Sequence, residues 1–249
     1  MCSVTWLLEE NGYQVFFNRD EQKNRPLATP PQSQNINNTQ VLMPIDPVGN
    51  GSWISLNEHG LSLCLLNNYQ GKLPSGACLS RGLLLQHLAP SQSRTEVTEL
   101  FNQLKLSCFA PFTLLVFGPD LSLNKPEVWA FSWNGVSSKI AVTDSPLFSS
   151  GVALEEVQNY RKEVYTSITS EGKNQQSLLN FHSHHHAEKG YLSTCMHRDD
   201  AQTVSFTHLA VSSDLFSMSY LAGSPCDGLN RQQLEKHCYT FDKQESLIA

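Results

Sequence analysis

The order of predicted elements in this 249-residue chain indicates an α+β fold, in which antiparallel sheets are covered by helices. Strands come first, two helices follow, and strands and helices then occur in blocks rather than in the strict alternation of a parallel sheet. Hydrophobic residues make up 40% of the chain, which is enough to bury a large core. No repeat and no glycine-rich phosphate-binding loop is visible, so nothing supports a nucleotide-binding fold. We expect a single domain over residues 1–249.

The first predicted element is a β-hairpin. Residues Cys2–Glu9 alternate apolar and polar side chains, and Tyr13–Phe17 is rich in aromatic and β-branched residues. Between them, Asn11-Gly12 is a dipeptide that tolerates positive φ at both central positions of a type I′ turn. Such a hairpin turns the apolar side chains of both strands to one face of the sheet.

The turn also predicts which residues pair. A two-residue turn at this dipeptide sets Val4 opposite Arg19 and Cys2 opposite Glu21, and directly opposed residues share a face of the sheet. One end of the hairpin should then carry a polar cluster of Cys2, Arg19 and Glu21, with Asp20 at the neighbouring strand position. A slip of one residue would turn this cluster to the other face.

Similar patterns predict the later elements. Prolines alternate with polar residues across 22–50, a composition typical of a loop that is either a lid or an insertion. Ser93 and Glu96 form a capping box before a helical apolar stripe. Further helices are predicted at Cys78–Leu88 and over 154–168. Strands are predicted at Ser52–Leu56, Leu61–Leu66, Phe112–Phe117, Val128–Trp133, Lys139–Val142, Gln202–Val211 and Leu215–Leu221.

Charge and hydropathy exclude two classes of partner. The formal net charge is −6 and lysine and arginine form no extended runs, so no basic face is available for nucleic acid. No stretch approaches the roughly 18 apolar residues that cross a bilayer, and we expect no integral membrane segment. The start of the chain lacks a basic region followed by an apolar core, which predicts a cytoplasmic location. The seven cysteines lack CxxC spacing and are expected to be reduced.

Cys2 is distinguished by its position in the chain. An initiator methionine is readily removed when the next residue is small, and removal would leave a thiol and an α-amino group on one residue. That amine titrates near pH 8, so it can accept the thiol proton and later help to expel a leaving group. On the same face, Arg19 is expected to lower the pKa of the thiol or to hold a substrate carboxylate, and Asp20 to orient the amine.

A run of histidines occupies His182–His186, interrupted only by Ser183. Imidazoles at this density could ligate a transition metal or haem iron. No cysteine or second histidine pair at metal-site spacing accompanies the run. We interpret it as a solvated loop and predict no metal site.

The opening of the chain resembles a known family. The segments Met1–Trp6 and Phe16–Pro26, with the Asn-Arg-Asp-Glu motif at Asn18–Glu21, are similar to the start of the NRDE family, also called the transport and Golgi organisation family. Weaker similarities follow in the same order along the chain, at Gly51-Ser52-Trp53, Gly60–Tyr69, Ser80-Arg81-Gly82, Trp133-Asn134-Gly135 and Thr203-Val204-Ser205.

This resemblance implies a fold and a chemistry. The family is similar to the N-terminal nucleophile (Ntn) hydrolases, so a four-layer αββα sandwich of two mainly antiparallel sheets is expected. Its nearest chemistry would be that of the choloylglycine and penicillin V acylases, cysteine amidases that cut a C–N bond outside peptides. The resemblance implies no cofactor.

The resemblance also implies roles for individual residues. Asn67, which follows Gly60-Leu61, would donate to the oxyanion, with Asn68 as a substitute if the register is shifted by one. Arg198 is the candidate for a late arginine by its order in the chain. We therefore expect catalytic roles for Cys2, Arg19, Asp20 and Asn67, and binding roles for Asn18, Glu21, Asn68 and Arg198. The corresponding stretch for a second oxyanion asparagine, around Thr143–Ser150, contains no asparagine.

Three function classes follow from these observations. The first is a cysteine amidohydrolase that acts on a small acylated amide. The second is a non-catalytic carrier that uses the same pocket for a lipid, acyl-CoA or haem, since eukaryotic relatives are linked to secretory and Golgi organisation. The third and weakest is a structural partner of trafficking machinery, which would require a pocket filled by side chains.

Overall fold

The computed structural model describes residues 2–76, 78–213 and 215–241, which form thirteen strands and five α-helices. The strands are β1 (Cys2–Glu9), β2 (Gly12–Gln22), β3 (Thr29–Ile36), β4 (Thr39–Ile45), β5 (Ile54–Asn57), β6 (Ser62–Asn67), β7 (Phe112–Phe117), β8 (Val128–Trp133), β9 (Ser138–Thr143), β10 (Leu147–Ser149), β11 (Ala201–Ser212), β12 (Phe216–Ala222) and β13 (Cys238–Thr240). The helices are α1 (Arg81–Leu88), α2 (Arg94–Gln103), α3 (Leu154–Thr169), α4 (Gln175–Ser183) and α5 (Arg231–Lys236).

The strands form two antiparallel sheets. The first sheet has six strands in the order β10-β1-β2-β11-β12-β13, and the second has seven in the order β3-β4-β5-β6-β7-β8-β9. In the first sheet β1 and β2 lie next to each other, with β10 on one side and β11 on the other. The hairpin that carries Cys2 is therefore inside the sheet and not at its edge.

Apolar side chains form three clusters, which define four layers. The central cluster joins the two sheets and includes Val4 and Phe17 from the first sheet and Leu115 from the second. A second cluster packs α1 and α2 on the outer face of the second sheet, and a third packs α4 and α5 on the outer face of the first. The order helix, sheet, sheet, helix is the predicted αββα sandwich.

The register of the first hairpin differs from the predicted one by two residues. Glu9 pairs with Gly12, so the turn is Glu10-Asn11, and Cys2 pairs with Arg19 instead of Glu21. Gly12 belongs to the strand because it lies against β11, where a side chain would overlap the carbonyl oxygen of Val211. A shift of two keeps every side chain on its predicted face, since side chains alternate with a period of two residues.

The alternation along β1 and β2 gives the hairpin two different faces. Cys2, Val4 and Trp6, together with Val15 and Phe17 on β2, contact the central core. The residues between them are directed to the layer of α3 and α4. The cavity described below and the helix-side contacts are thus built from alternate residues of the same two strands.

The prediction of a loop over 22–50 is wrong, because much of this segment forms strands β3 and β4. Asn37 and Asn38, both at positive φ, make the tight turn between them. Pro30 and Pro31 fall where the β3–β4 register shifts and need no ladder hydrogen bond there. β3 is at the sheet edge, where exposed polar side chains are tolerated, and this composition hid the strand from the sequence pattern.

The prediction that His182–His186 is a solvated loop is wrong for His182, which lies on α4 and is fully buried. Its Nδ1 contacts Oδ1 of Asn18 at 2.9 Å, and its Nε2 contacts Oγ1 of Thr5 at 2.9 Å. The amide nitrogen of Asn18 donates to the carbonyls of His182 and Thr194. Because Asn18 presents its oxygen to the ring, Nδ1 carries the proton and Nε2 accepts from Thr5. These contacts join β1 and β2 to α4.

The predicted helix ends and strands are otherwise close to those observed. Ser93 caps α2 by accepting from the backbone N–H of Glu96, but the side chain of Glu96 accepts from Gln92 and not from Ser93. The first predicted helix begins at Arg81 rather than Cys78, after the N-cap Ser80. None of the helices in the described segments is long and apolar enough to cross a membrane.

Two buried histidines should make the fold sensitive to acid. Burial lowers the pKa of His182 to about 3 and that of His208 on β11 to about 4. Both are neutral in the folded chain at pH 5 to 6.5, whereas unfolding exposes them to protonation. The unfolded state then binds more protons, so the free energy of unfolding falls as pH drops below about 6.5, by up to about 1.4 kcal/mol per pH unit for each histidine.

Denaturant unfolding between pH 6.5 and 5, above the range of most carboxylates, measures this slope. His208→Gln, which keeps a donor toward Gln14, should reduce the slope by up to about 1.4 kcal/mol per pH unit, since the contribution of this one group is removed. His87→Gln, at an exposed position of α1, is the matched control and should leave it unchanged. An equal slope in wild type and His208→Gln would contradict the assignment.

Candidate functional site

Cys2 begins β1 between two neighbouring strands. It pairs with Arg19 on β2 and with Ser149 on β10, and only 7% of its surface is exposed. Because it shares a face with Val4 and Trp6, its side chain is directed to the side of the first sheet that packs on the second. The thiol therefore lies at the end of the central core, where the apolar contacts stop.

A cavity of about 430 Å³ opens beside Cys2, between the ends of the two sheets and the start of α1. The predicted residues Arg19, Asp20, Glu21 and Asn67 line it together with Cys2. The structure thus brings to one cavity the four residues expected to be catalytic, which are Cys2, Arg19, Asp20 and Asn67, and one residue expected to bind ligand, Glu21. The size of the cavity is in the range of small-molecule sites.

Arg19 is held by carboxylates on the cavity wall. Its guanidinium is 2.6 Å from Asp46 and 3.2 Å from Glu21, and it stacks over the ring of Trp53 at 4.2 Å. Arg25 reaches the same Asp46 carboxylate at 2.8 Å. Two arginines and two acids therefore form one ion-pair network around the cavity.

Asp46 organises this network, and sequence reasoning missed it within the predicted loop. Burial acts to raise the pKa of its carboxyl, but hydrogen bonds from Arg25 and from the backbone N–H groups of Gly49 and Val48, with the charge of Arg19, lower it overall. The carboxylate stays ionised and fixes Arg19. The signal that could have found it is an Asp-Pro dipeptide with a glycine at the third position after the aspartate, a turn in which the aspartate accepts from backbone N–H groups.

The charge of Arg19 acts to lower the pKa of the Cys2 thiol, as expected, but the net pKa is raised. Burial raises the pKa of the Cys2 thiol and the charge of Asp20 adds to this, whereas a backbone hydrogen bond from Asp20 and the charge of Arg19 oppose it only in part. The charge of Arg19 is the smallest of these contributions to the pKa of Cys2, and the same guanidinium is paired with Asp46 and Glu21. The thiol is therefore protonated at neutral pH, and its use as a nucleophile requires a base.

Asp20 is anchored by groups behind the cavity. Its Oδ1 accepts from the hydroxyl of Thr203 at 2.6 Å, and its Oδ2 is 4.0 Å from Arg161. Arg161, on α3, is completely buried and donates to Ser3 at 2.6 Å and to the carbonyl of Leu192 at 3.1 Å. Sequence reasoning missed Arg161; the signal was a charged residue on the apolar stripe of a helix.

Asn67 and Arg81 bring donors from the second sheet and from α1. The amide nitrogen of Asn67 donates to the hydroxyl of Tyr69 at 3.0 Å, which leaves its second hydrogen available. Arg81 lines the cavity and donates to the carbonyl of Pro111 at 2.9 Å. Within the described segments Arg81 has no ion pair with a carboxylate, in contrast to Arg19 and Arg25.

Two glycines explain why the loop before β5 and the start of α1 can form one wall. A side chain on Gly51 would overlap the backbone of Gly82, and one on Gly82 would lie 2.9 Å from the backbone nitrogen of Ser52. The backbone N–H of Ser52 donates to the carbonyl of Gly82 at 3.2 Å. The segments Gly51-Ser52-Trp53 and Ser80-Arg81-Gly82, distant in sequence, are neighbours because neither glycine has a side chain.

Three residues expected to bind ligand do not line this cavity. Asn18 lies on the opposite face of β2, in the buried contacts with His182. Asn68 accepts from the backbone N–H of Gln70, outside the cavity. Arg198 pairs with Asp200 beside a different surface cavity. Order in the chain was the only reason to choose Arg198, and the fold does not bring it near Cys2. Met1, whose removal would free Cys2, lies outside the described residues.

Comparisons with solved structures identify the fold. The chain is similar to the N-acylethanolamine-hydrolyzing acid amidase ortholog of Caenorhabditis elegans, with a TM-score of 0.54 and 15% identity, over 97% of this chain and 100% of that one. It is similar to the conjugated bile acid hydrolase of Clostridium perfringens, with a TM-score of 0.53 and 11% identity, over 97% and 98% of the two chains. For the penicillin V acylase of Agrobacterium tumefaciens the TM-score is 0.51 and the identity 10%, over 90% and 83%. At these identities the likeness concerns the fold.

Sequence comparison gives the family. No curated protein matches the chain. A family model described as Transport and Golgi organisation 2 matches residues 1–215, which include the whole cavity wall described above. The chain therefore belongs to the Transport and Golgi organisation 2 family, the family of the Asn-Arg-Asp-Glu motif, and has the fold of an Ntn hydrolase.

Proposed function

We propose that the protein is a cysteine Ntn amidohydrolase that cuts the C–N bond of a small acylated amide. The observation that carries this proposal is the position of Cys2, which pairs directly with Arg19 at the mouth of a cavity that Asn67 also lines. A nucleophile and an amide donor on one cavity wall are groups that acyl transfer uses.

The reaction would begin with removal of Met1, which gives Cys2 a free α-amine. That amine takes the thiol proton, and the thiolate attacks the amide carbonyl to form a tetrahedral intermediate. As the C–N bond breaks, the protonated α-amine gives its proton to the leaving amine, and a thioester remains on Cys2. Water, deprotonated by the same α-amine, then hydrolyses the thioester and releases the acid. The raised pKa of the thiol makes this base necessary.

The other cavity residues would have separate roles. Asn67 would donate its second amide hydrogen to the oxyanion. Asp20, held by Thr203, would orient the α-amine of Cys2. Arg19, neutralised by Asp46 and Glu21, would form a rigid wall with Trp53 instead of activating the thiol. Arg81, which has no carboxylate partner in the described chain, is the group best suited to hold a carboxylate or carbonyl of the substrate.

The size of the cavity and the proteins of similar fold support the substrate class. A volume of about 430 Å³ accommodates a small acyl amide. The proteins of similar fold act, by their names, on penicillin V, N-acylethanolamines and conjugated bile acids, which are acyl amides. This supports the class of reaction and leaves the acyl group open.

The second candidate is a carrier that binds a lipid, acyl-CoA or haem without turning it over. Two observations favour it: burial keeps the Cys2 thiol protonated, and Arg19 is neutralised by its ion pairs. The Transport and Golgi organisation 2 family is compatible with either function.

The first prediction concerns the nucleophile. Cys2→Ala should abolish turnover of a panel consisting of penicillin V, an N-acylethanolamine and a conjugated bile acid, because no thioester can form. The measurement is amine release by protein carrying any tag at its C-terminus. Cys238→Ala, at an exposed cysteine on β13, is the matched control and should retain full activity. Intact mass should show loss of Met1, and retained Met1 or equal turnover by both variants would refute the assignment.

The second prediction concerns the oxyanion. Asn67→Ala should lower kcat by about 100-fold with a smaller change in KM, because a donor to the transition state is lost. Asn68→Ala is the control, since Asn68 is the next residue but lies outside the cavity. If both asparagine variants lose activity equally, the loss comes from the β6 end as a whole and not from donation by Asn67.

The third prediction separates the carrier from the enzyme. A carrier should bind haem or acyl-CoA saturably and should release the ligand unchanged. If the Cys2 thiol is not a ligand, the affinity should be the same in wild type and in Cys2→Ala. Equilibrium titration with each ligand, followed by mass analysis of what is released, measures both properties. Absence of saturable binding by either ligand would contradict a carrier function for haem and acyl-CoA.

A further inference from the structure

Three potential metal ligands meet on the far side of the first sheet from the cavity. Cys195 and His197 lie in the connection between α4 and β11, and Cys226 lies in the 3₁₀ turn Pro225–Asp227 between β12 and α5. The two sulfurs and one ring nitrogen lie within 4.8 Å of one another. Nε2 of His197 is 3.6 Å from Sγ of Cys195 and 3.3 Å from Sγ of Cys226.

These separations fit a tetrahedral metal. Zinc binds thiolate sulfur at about 2.3 Å and imidazole nitrogen at about 2.0–2.1 Å, so two such ligands at a tetrahedral angle are roughly 3.6 Å apart. Thiolate and imidazole together favour zinc and disfavour the hard cations magnesium and calcium. We infer that Cys195, His197 and Cys226 form a zinc-binding site.

The backbone holds these ligands close together. The N–H of Cys226 donates to Sγ of Cys195 at 3.4 Å, and the N–H of Cys195 donates to the carbonyl of His184 at 3.0 Å. The N–H of His197 donates to Gly190, where a side chain would overlap the carbonyl oxygen of His197. Zinc would therefore need little rearrangement of the backbone to bind.

The fourth position of the site is open to solvent. Cys195 is buried, His197 is half-buried and Cys226 is exposed, so the ion can enter from the Cys226 side. Asp227, whose Oδ1 is 3.8 Å from Sγ of Cys226, can complete the tetrahedron, directly or through water. His185 packs its ring edge-on against His197, with centroids 4.7 Å apart, and shields the other side.

Zinc here would have a structural role that does not depend on the proposed catalysis. It would clip together two connections, and the one carrying Cys195 also supports the layer behind Cys2. In that connection the carbonyl of Leu192 accepts from Arg161, the carbonyl of Thr194 accepts from Asn18, and the N–H of Met196 donates to Thr203. The experiment below measures binding and not turnover, so it can fail while the amidase proposal stands.

The test uses untagged full-length protein, reduced with a phosphine and stripped of metal, and titrated with Zn²⁺ in competition with a chromogenic chelator. We expect one zinc per chain. Cys226→Ser should weaken binding by about 100-fold or more, because a thiolate ligand is lost. Co²⁺ should give a thiolate-to-metal charge-transfer band in wild type that Cys226→Ser and His197→Asn diminish. Zinc in hundredfold excess over its dissociation constant should raise the melting temperature by roughly 5 °C or more.

Matched variants separate this site from its rivals. Cys238→Ser removes another exposed cysteine, and His186→Asn removes a histidine of the run, and neither should change the affinity. Because Cys226 is exposed, its serine variant should keep the apo melting temperature, which checks the fold. Zinc binding that survives Cys226→Ser, or that depends on His186 alone, overturns the proposal. A reduced protein that binds no zinc also overturns it. A disulfide between Cys195 and Cys226 in the oxidised form would then be the reason that these residues lie close together.

Discussion

The two-residue alternation of side chains along β1 and β2 is the constraint on which the rest of the structure depends. One set of residues, beginning with Cys2 and ending with Arg19, faces the second sheet. The other set, which includes Thr5 and Asn18, is anchored to α4 through His182. The apolar and hydrogen-bonded contacts on both faces fix the hairpin, and a slip by a single residue would exchange the two sets.

The charge balance of the cavity follows from this anchoring. Arg19 comes from β2, but its partner Asp46 comes from the turn after β4, in the other sheet. The ion pair therefore joins the two sheets at the open end of the central core. It also leaves Cys2 without strong electrostatic activation, so any reactivity of the thiol depends on the α-amine that processing would expose. Each member of this ion pair has a second partner, since Arg19 also contacts Glu21 and Asp46 also contacts Arg25, so the two charges are compensated although both are mostly buried.

Buried polar contacts connect the elements behind the cavity. Arg161 is fully buried and reaches Ser3, Leu192 and Asp20 from α3. Thr203 connects Asp20 to the backbone of Met196. The segment that contains Cys195 and His197 is thus part of the support of Asp20, and a metal on that segment would restrict its motion. Candidate catalytic residues and candidate metal ligands occupy opposite ends of one hydrogen-bonded network.

The sequence by itself determined an α+β fold of antiparallel sheets covered by helices, most strands, the N-cap of α2 and the face on which Cys2 and Arg19 lie, because these depend on local periodicity and turn chemistry. The four-layer αββα order was expected from the family resemblance and not from these patterns. The sequence located the hairpin but not its register, since Gly12 is required by contact with β11 and that contact is not local. The edge strand β3 was hidden because an exposed edge accepts the same polar residues as a loop. Only the tertiary structure decided that Asp46 holds Arg19, that Arg161 supports Asp20, and that Cys226 meets Cys195. Each of these contacts joins residues far apart in the chain, and no local pattern records which distant segments packing will bring together.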